Sequence, residues 1–380
     1  MTPRVLILTG ETPLPATSGL RQRTLHLARA LGAAFEVEIL ALGDVPAASG
    51  EPFTLRGVPH RRPRGLALAA SLRQPYQAAK VRSRAAERQA ASTSWTSVQT
   101  EVPFLAPVAR AAGAPLVVDA QNVESDVLAT LANAERRPVH RARWRWEAAK
   151  TERFERAIVR AAAAVCATSD EDAAALERLG ASRVLLVPNG VDTAAVAHVP
   201  LAASSELLYV GHYGYRPNAL AALELVDDVL PRVRAACAGA TATIVGREPA
   251  RGLRERARDG VRVTGAVDDV LPYLRAARAL VVPLRSGGGT RLKVLEALAA
   301  GVPVVSTRLG VQGLGLTDGE HVLLGEAPAE LAAATVRVLS DDALAKRLSE
   351  QGRRLVEQRY DWSVVARPLV ELHDSLAGDQ

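Results

Sequence analysis

Two cysteines and one methionine in 380 residues leave little room for sulfur chemistry. Cys166 and Cys237 lie far apart, with neither metal-ligand spacing nor the density of a disulfide framework, so the expected setting is a reducing, cytoplasmic one. Aromatic residues make up only 4% of the chain and are not interleaved with its basic patches. That removes the stacking platform on which single-stranded nucleic acid binds, and no nucleic-acid partner is expected. Uninterrupted apolar runs of ~18 residues are missing, and the opening MTPRVLILTGE reads as a short strand rather than a signal peptide or membrane span. Absence of G-x-x-x-x-G-K-[S/T], and of G-x-G-x-x-G after the first strand, speaks against nucleotide hydrolysis and dinucleotide oxidoreduction. His26, His60, His140 and His321 are scattered, and no metal is expected. Lysine is scarce as well: of 47 basic residues only Lys80, Lys150, Lys293 and Lys346 are lysines. An arginine bias of this kind reflects genome composition, but it makes a lysine inside a glycine-rich segment conspicuous.

What is present is a globular composition, 48% apolar and 23% charged, in a chain long enough for two domains. The net charge of +6 favours anionic partners. Short apolar runs separated by amphipathic stretches occur in two series. The first comprises Arg4–Leu8, Val37–Leu40, Leu116–Val118, Ala163–Ala167 and Val184–Val187, with a helix over about Leu20–Leu31. The second comprises Leu207–Val210, Thr241–Val245, Val261–Thr264, Ala279–Val282 and Val302–Ser306. Strand, loop, helix, strand at this spacing predicts parallel α/β layers. Periodicity lapses over 193–205, which reads as an interdomain linker. The expected class is therefore α/β, with two Rossmann-like domains facing across a cleft: residues 1–195, with 362–380 packing back on them, and residues 205–358. Ligands of such sheets bind outside the carboxyl ends of the strands.

The most informative stretch runs from Val281 to Ser306, VVPLRSGGGTRLKVLEALAAGVPVVS. A buried strand ends at Pro283, glycines 287–289 allow close backbone approach, and a helix is expected from about Thr290. Its free N–H groups make an anion site, to which Arg291 and Lys293 add full charges. Glu296, further along, has the chemistry to accept hydrogen bonds from a diol. Anion cradle, cations and diol acceptor together suggest a nucleoside diphosphate. Asp170-Glu-Asp172 has the D-x-D spacing of metal–diphosphate sites, but helix capping after Thr168-Ser169 explains these acids without a metal. Residues 136–160 carry nine Arg or Lys with Trp144 and Trp146. That segment is either a solvated basic helix with its tryptophans turned inward, or a surface for anionic lipid heads or a charged acceptor.

The Val281–Ser306 stretch resembles the donor-site motif of retaining GT-B glycosyltransferases of family 4, also called group 1. Pro15–Arg23, Thr168–Asp172, Val187-Pro-Asn-Gly-Val-Asp192, Tyr209-Val-Gly-His212, Ile244–Arg247, Val263–Val267 and Tyr360–Ser363 agree with it in order and spacing. The resemblance covers nearly the whole chain. It implies a GT-B fold and sugar transfer from a nucleotide-diphosphate sugar to an acceptor hydroxyl, with retained anomeric configuration. The donor is a substrate, and no cofactor or metal is implied. Gly19 would offer its N–H to the diphosphate, Arg291 and Lys293 would neutralise it on departure, and Glu296 would hold the ribose. Val267 and Arg247 would meet the base, and Gly288, Gly289 and Thr290 would lie against the transferred sugar.

Three positions depart from the family pattern. Gly288 stands where a first glutamate, eight positions before Glu296, is common. His212 stands where an arginine clamps phosphate, so that duty shifts to Arg291 and Lys293, assisted by His212 or Arg216. Gln121 stands where a histidine is usual; Asn122 and Glu124 are then the candidates for acceptor binding. These departures leave two alternatives open: an inactive nucleotide-sugar-binding protein, or a sugar-nucleotide epimerase on the same fold. The acceptor class is a glycan, a lipid-linked sugar or a small molecule, and the basic segment leans toward one at the inner membrane face.

Overall fold

The computed structural model describes residues 2–16, 18–46, 50–60, 72–287 and 291–378. The chain divides into two compact units, Met1–Asn189 with Val365–Gln380, and Gly190–Val364.

The first unit is built on a seven-stranded parallel sheet. Its strands are β1 (Arg4–Thr9), β2 (Glu36–Leu42), β3 (Thr54–Val58), β4 (Ser97–Thr100), β5 (Leu116–Ala120), β6 (Ala164–Ala167) and β7 (Val184–Leu186). They are ordered β3-β2-β1-β4-β5-β6-β7. β1, β5 and β6 are apolar runs buried on both faces, as covered parallel strands must be. β4 reads Ser-Val-Gln-Thr and has no apolar run, yet every residue is buried. Two of its polar side chains are satisfied from far along the sequence: Ser97 Oγ lies 2.7 Å from His373 Nδ1, and Gln99 Oε1 lies 3.1 Å from His373 Nε2. His373 itself is fully buried on the helix Arg367–Gly378, and burial pushes its pKa down to about 4.

The second unit holds a six-stranded parallel sheet of β8 (Glu206–Val210), β9 (Thr241–Val245), β10 (Val261–Gly265), β11 (Ala279–Val282), β12 (Val304–Ser306) and β13 (Leu323–Leu324). Its order is β10-β9-β8-β11-β12-β13. Each sheet has one point where the strand order reverses, between β1 and β4 in the first and between β8 and β11 in the second. The loops leaving those four strands are where doubly wound sheets bind ligands.

The boundary falls at Asn189 rather than near 195, and the stretch read as a linker belongs to the second unit. Val191 bridges to Asp361, Thr193 N–H donates to Asp361 Oδ2 at 3.1 Å, and Val199 N–H donates to the Ala300 carbonyl at 2.9 Å. These are irregular bonds of the backbone to backbone and side-chain acceptors that leave no periodic signal, so the sequence shows only a lapse in pattern.

Candidate active site

In the second unit the site grows from the β8/β11 switch point. Gly246 closes the neighbouring β9 turn with φ +144°, and a Cβ there would sit 1.7 Å from the Gly211 carbonyl oxygen. Only glycine lets β9 pass that close to the β8 loop. After β11 the chain reaches Gly287, at φ +106°, where a Cβ would come within 2.7 Å of the Tyr215 hydroxyl. Gly288, Gly289 and Thr290 lie outside the described residues. The following helix is Leu292–Ala300, two residues later than expected, with Arg291 at its cap position and making no side-chain capping bond.

Lys293 stands in the first turn of that helix and reaches across to β8. Its Nζ donates to Asn218 Oδ1 at 2.9 Å and to Tyr209 Oη at 3.1 Å, and lies 4.3 Å above the Tyr209 ring centre. Asn218 is held in turn: its Nδ2 donates to the His212 carbonyl at 3.1 Å, and its Oδ1 accepts from Tyr209 Oη at 3.0 Å. Burial, then the Arg291 charge, pull the Lys293 pKa down to about 7, while Glu296 one turn on opposes them. The ammonium is thus poorly solvated in the unliganded protein and gains from an anion set against it. Arg291 is buried; its Nε donates to the Leu309 carbonyl at 3.1 Å and its Nη2 to the Gly287 carbonyl at 3.0 Å. Its guanidinium therefore braces the glycine loop while raising the local positive potential.

Around this centre, His212 Nε2 pairs with Glu248 Oε2 at 3.0 Å on the surface. The Arg247 side chain is exposed, its carbonyl accepting from Tyr213 N–H at 3.0 Å, and Val267 is half-buried against the core. Arg216 opens the helix Arg216–Glu224 with its side chain exposed.

In the first unit, Gly19 begins the helix Gly19–Gly32 behind the N-cap Ser18, whose Oγ accepts from Arg21 N–H at 3.3 Å. At the β1/β4 switch point lies Glu101, which the sequence did not single out. Its carboxylate bridges Thr9, the Gly10 N–H at 3.2 Å and Thr24 Oγ1 at 2.7 Å. Desolvation raises its pKa to about 7. Beside it, Arg23 is fully buried in a two-pronged pair with Asp119: Nε–Oδ2 2.7 Å and Nη2–Oδ1 2.6 Å. The third arm, Nη1, donates to the Pro188 carbonyl at 3.0 Å and to Asn189 Oδ1 at 3.2 Å. This knot fixes the helix after β1, the end of β5 and the Pro-Asn segment after β7. Among so many arginines Arg23 carries no signal of its own; a lone acid, Asp119, inside an apolar strand is the sequence feature that could have pointed to it.

Gln121 and Asn122 are half-buried in the loop after β5, and Glu124 opens the helix Glu124–Ala134. Glu155, from the helix Pro138–Val159, accepts the N–H groups of Glu124 at 2.8 Å and Ser125 at 3.1 Å. Burial and the nearby Glu155 carboxylate push the Glu124 pKa up to about 7. Of the D-x-D acids, Asp172 joins the helix cap: Ser169 Oγ accepts from Asp172 N–H at 3.1 Å and donates to Asp172 Oδ2 at 2.7 Å, and Thr168 Oγ1 donates to the same oxygen at 3.1 Å.

Two doubly wound parallel domains, the second with a lysine and a glycine turn at its switch point, make a Rossmann-like pair of the GT-B type. Comparison with known proteins agrees. Residues 17–195 match the family model "Glycosyltransferase Family 4", and residues 204–341 match "Glycosyl transferases group 1". The chain belongs to the group 1 glycosyltransferases. It is 32% identical over 214 residues, 53% of this chain and 56% of the relative, to phosphatidyl-myo-inositol mannosyltransferase of Mycobacterium leprae. It is 31% identical over 208 residues, 51% of this chain and 49% of the relative, to glycogen synthase of Mycobacterium tuberculosis. The match thus spans about half the length of these curated relatives. Among solved structures, sucrose-phosphate synthase of Thermosynechococcus elongatus superposes with a TM-score of 0.74 at 21% identity, covering 100% of both chains. Anabaena HepE in complex with UDP and glucose gives 0.68 at 16% identity, covering 98% of this chain and 99% of the other.

Proposed function

We propose that the chain transfers a sugar from a nucleotide-diphosphate sugar to an acceptor hydroxyl, with retention of anomeric configuration and without a bound metal. The observation that carries this reading is the Lys293 ammonium, held on Tyr209 and Asn218 at the switch point of the second sheet with its charge only partly compensated. Family members commonly clamp phosphate from the loop after β8, where His212 stands here. Lys293 supplies the missing cation from another element, pointing back onto that loop. Arg291 adds to the field, Gly288, Gly289 and Thr290 take the sugar, Glu296 the ribose, and Val267 with Arg247 the base. Fixed cations facing the leaving diphosphate, and an acceptor hydroxyl attacking on the face it leaves, suffice for rate enhancement by positioning and charge stabilisation. Asn122 and Glu124 are the proposed acceptor contacts. The acceptor is a cell-surface glycan precursor, a lipid-linked sugar or a small molecule; the M. leprae and M. tuberculosis relatives carry names that point to a lipid and a glycan. None of the described helices is long and apolar enough to cross a membrane, and the proposed location is the cytoplasm, at the inner membrane face.

Glu296→Ala is expected to weaken donor binding by about 1–3 kcal/mol, the scale for losing charge-assisted hydrogen bonds. Calorimetric titration with a nucleotide sugar checks this, and an unchanged Kd overturns the ribose assignment. Turnover is expected to survive EDTA. Loss of activity to the chelator, restored by magnesium or manganese, overturns the metal-free reading.

A further inference from the structure

Along the helix Asp342–Arg359 basic residues recur with a polar residue four positions on, and its charge differs between two faces. Lys346 and Arg353 have Glu350 and Glu357 there, and both pairs form, at 3.8 and 2.6 Å. Arg347 and Arg354 have Gln351 and Gln358 instead. Glutamine matches glutamate in size and helix propensity, but it leaves the arginine charge uncompensated. Among the described residues neither Arg354 nor Arg359 forms an ion pair. With Gln351 and Gln358 they line one wall of a polar cavity of about 330 Å³.

The facing wall is the turn Gly315–His321 that leads into β13. Backbone bonds hold it: His321 N–H donates to the Thr317 carbonyl at 3.0 Å and Gly319 N–H to the Val322 carbonyl at 2.8 Å. Thr317 N–H also donates to His321 Nδ1 at 3.1 Å. Nδ1 is thereby the acceptor, and the proton of the neutral ring sits on Nε2. His321 is only 9% exposed, and among the described residues its Nε2 makes no hydrogen bond; Glu320 Oε1, at 3.7 Å, is out of reach. A nearly buried donor left without an acceptor costs stability, and a ligand in the cavity would supply one. The two walls also set an order along the cavity. A Cβ on Gly352 would lie 3.7 Å from the His321 carbonyl, and one on Gly315 would lie 3.8 Å from Arg359 Nη1. Glu320 and His321 therefore face the Gln351 end of the helix, and Arg359 faces Gly315 about 10 Å further along.

We propose that this cavity binds a phosphate monoester of a sugar or polyol. Arg354 and Arg359 take the phosphate through paired N–H groups, and His321, Glu320 and Gln351 take the hydroxyls at the other end. The Glu320 carboxylate would repel a second anionic group there, so one phosphate and a neutral hydroxylated end fit best. No phenyl, phenol or indole ring lines the cavity to stack a nucleobase. None of these residues belongs to the centre around Lys293, so this is a second site, independent of the glycosyl-transfer reading.

Calorimetric titration of the whole protein with glucose 6-phosphate, ribose 5-phosphate and glycerol 3-phosphate tests this, with inorganic phosphate and glucose as controls. At least one of the three esters is expected to bind, about tenfold or more tighter than phosphate, because the hydroxyl contacts add to the anionic ones. Lys293→Met is expected to bind that ester as the parent does. Arg354→Ala with Arg359→Ala should lower its affinity about 100-fold, and Gln358→Glu, which gives Arg354 the missing acid, about tenfold. All three positions are exposed, so unfolding midpoints should match the parent. Failure of all three esters to bind overturns the proposal, as does binding indifferent to the arginine variants. Phosphate binding as tightly as the esters also overturns it, since the cavity would then hold an adventitious ion only. Loss of ester binding in Lys293→Met overturns it too, by assigning the phosphate to the donor centre. Nucleotide-sugar titration of the arginine variants keeps the two readings apart: donor affinity should be unchanged, whichever way the esters behave.

Discussion

Replacing Lys293 by methionine is expected to lower kcat by about 100- to 1,000-fold, the range found when one preorganised donor to developing negative charge is removed. Methionine keeps the length and apolar stem, so the Tyr209 contact surface is retained while the charge is lost. Negative charge builds on the diphosphate as the glycosidic bond breaks, so kcat should suffer more than donor affinity. The lowered pKa adds a second signature. In the free protein Lys293 titrates near 7, below the usual lysine value, because burial disfavours its charged form. A bound diphosphate favours that form, so donor binding above pH 7 must take up a proton. Affinity should be greatest below pH 7 and weaken as pH rises through it, approaching tenfold per unit until the lysine of the complex also titrates. Calorimetry between pH 6 and 9, in buffers of different ionisation enthalpy, reads both the slope and the proton uptake. A flat profile that Lys293→Met leaves unchanged would remove the lysine from the diphosphate.

Asp119→Ala is expected to be the most destabilising single substitution in the first unit. Arg23 has no solvent access, so the variant strands a guanidinium in the interior, at about 3–5 kcal/mol. For a domain of this size that lowers Tm by roughly 10 °C, measured by calorimetry or circular dichroism. Arg23→Met alone should cost less, because it leaves a carboxylate nearer the end of its strand. The double variant Arg23→Met with Asp119→Leu should recover much of the loss, since an apolar pair of similar volume avoids the desolvation of both ions. If Asp119→Ala unfolds like the parent, the guanidinium has found solvent and the knot is not what holds the three segments.

These two residues also mark where sequence reading succeeds and where it stops. Lys293 stood out because lysine is scarce and its neighbours are glycines, and both signals are local. That it would grip Asn218 was invisible, because the contact joins two helices across the end of a sheet. Strands covered on both faces, such as Arg4–Thr9 and Ala279–Val282, were legible because continuous burial writes itself as continuous apolar sequence. β4 was not legible, since its Ser97 and Gln99 are buried against a histidine on a distant helix. β3, reading Thr-Leu-Arg-Gly-Val, carries polar and half-buried positions because it lies at the sheet edge. Glu101 escaped notice for a related reason: a lone glutamate between a threonine and a valine acquires meaning only when β1 and β4 are known to be neighbours.

His373 and its helix have a consequence for the order in which the protein comes into being. β4 lies in the middle of the first sheet, yet the side chain that satisfies its buried Ser97 and Gln99 leaves the ribosome after the entire Gly190–Val364 unit. At about 5–20 residues per second, the nascent sheet waits roughly 10–35 s with two polar groups unpaired in its interior. During that interval the second unit can fold while the first is still incomplete. Joining the closing helix to the front of the gene, by circular permutation, would remove the wait and let the first unit form as soon as it is made.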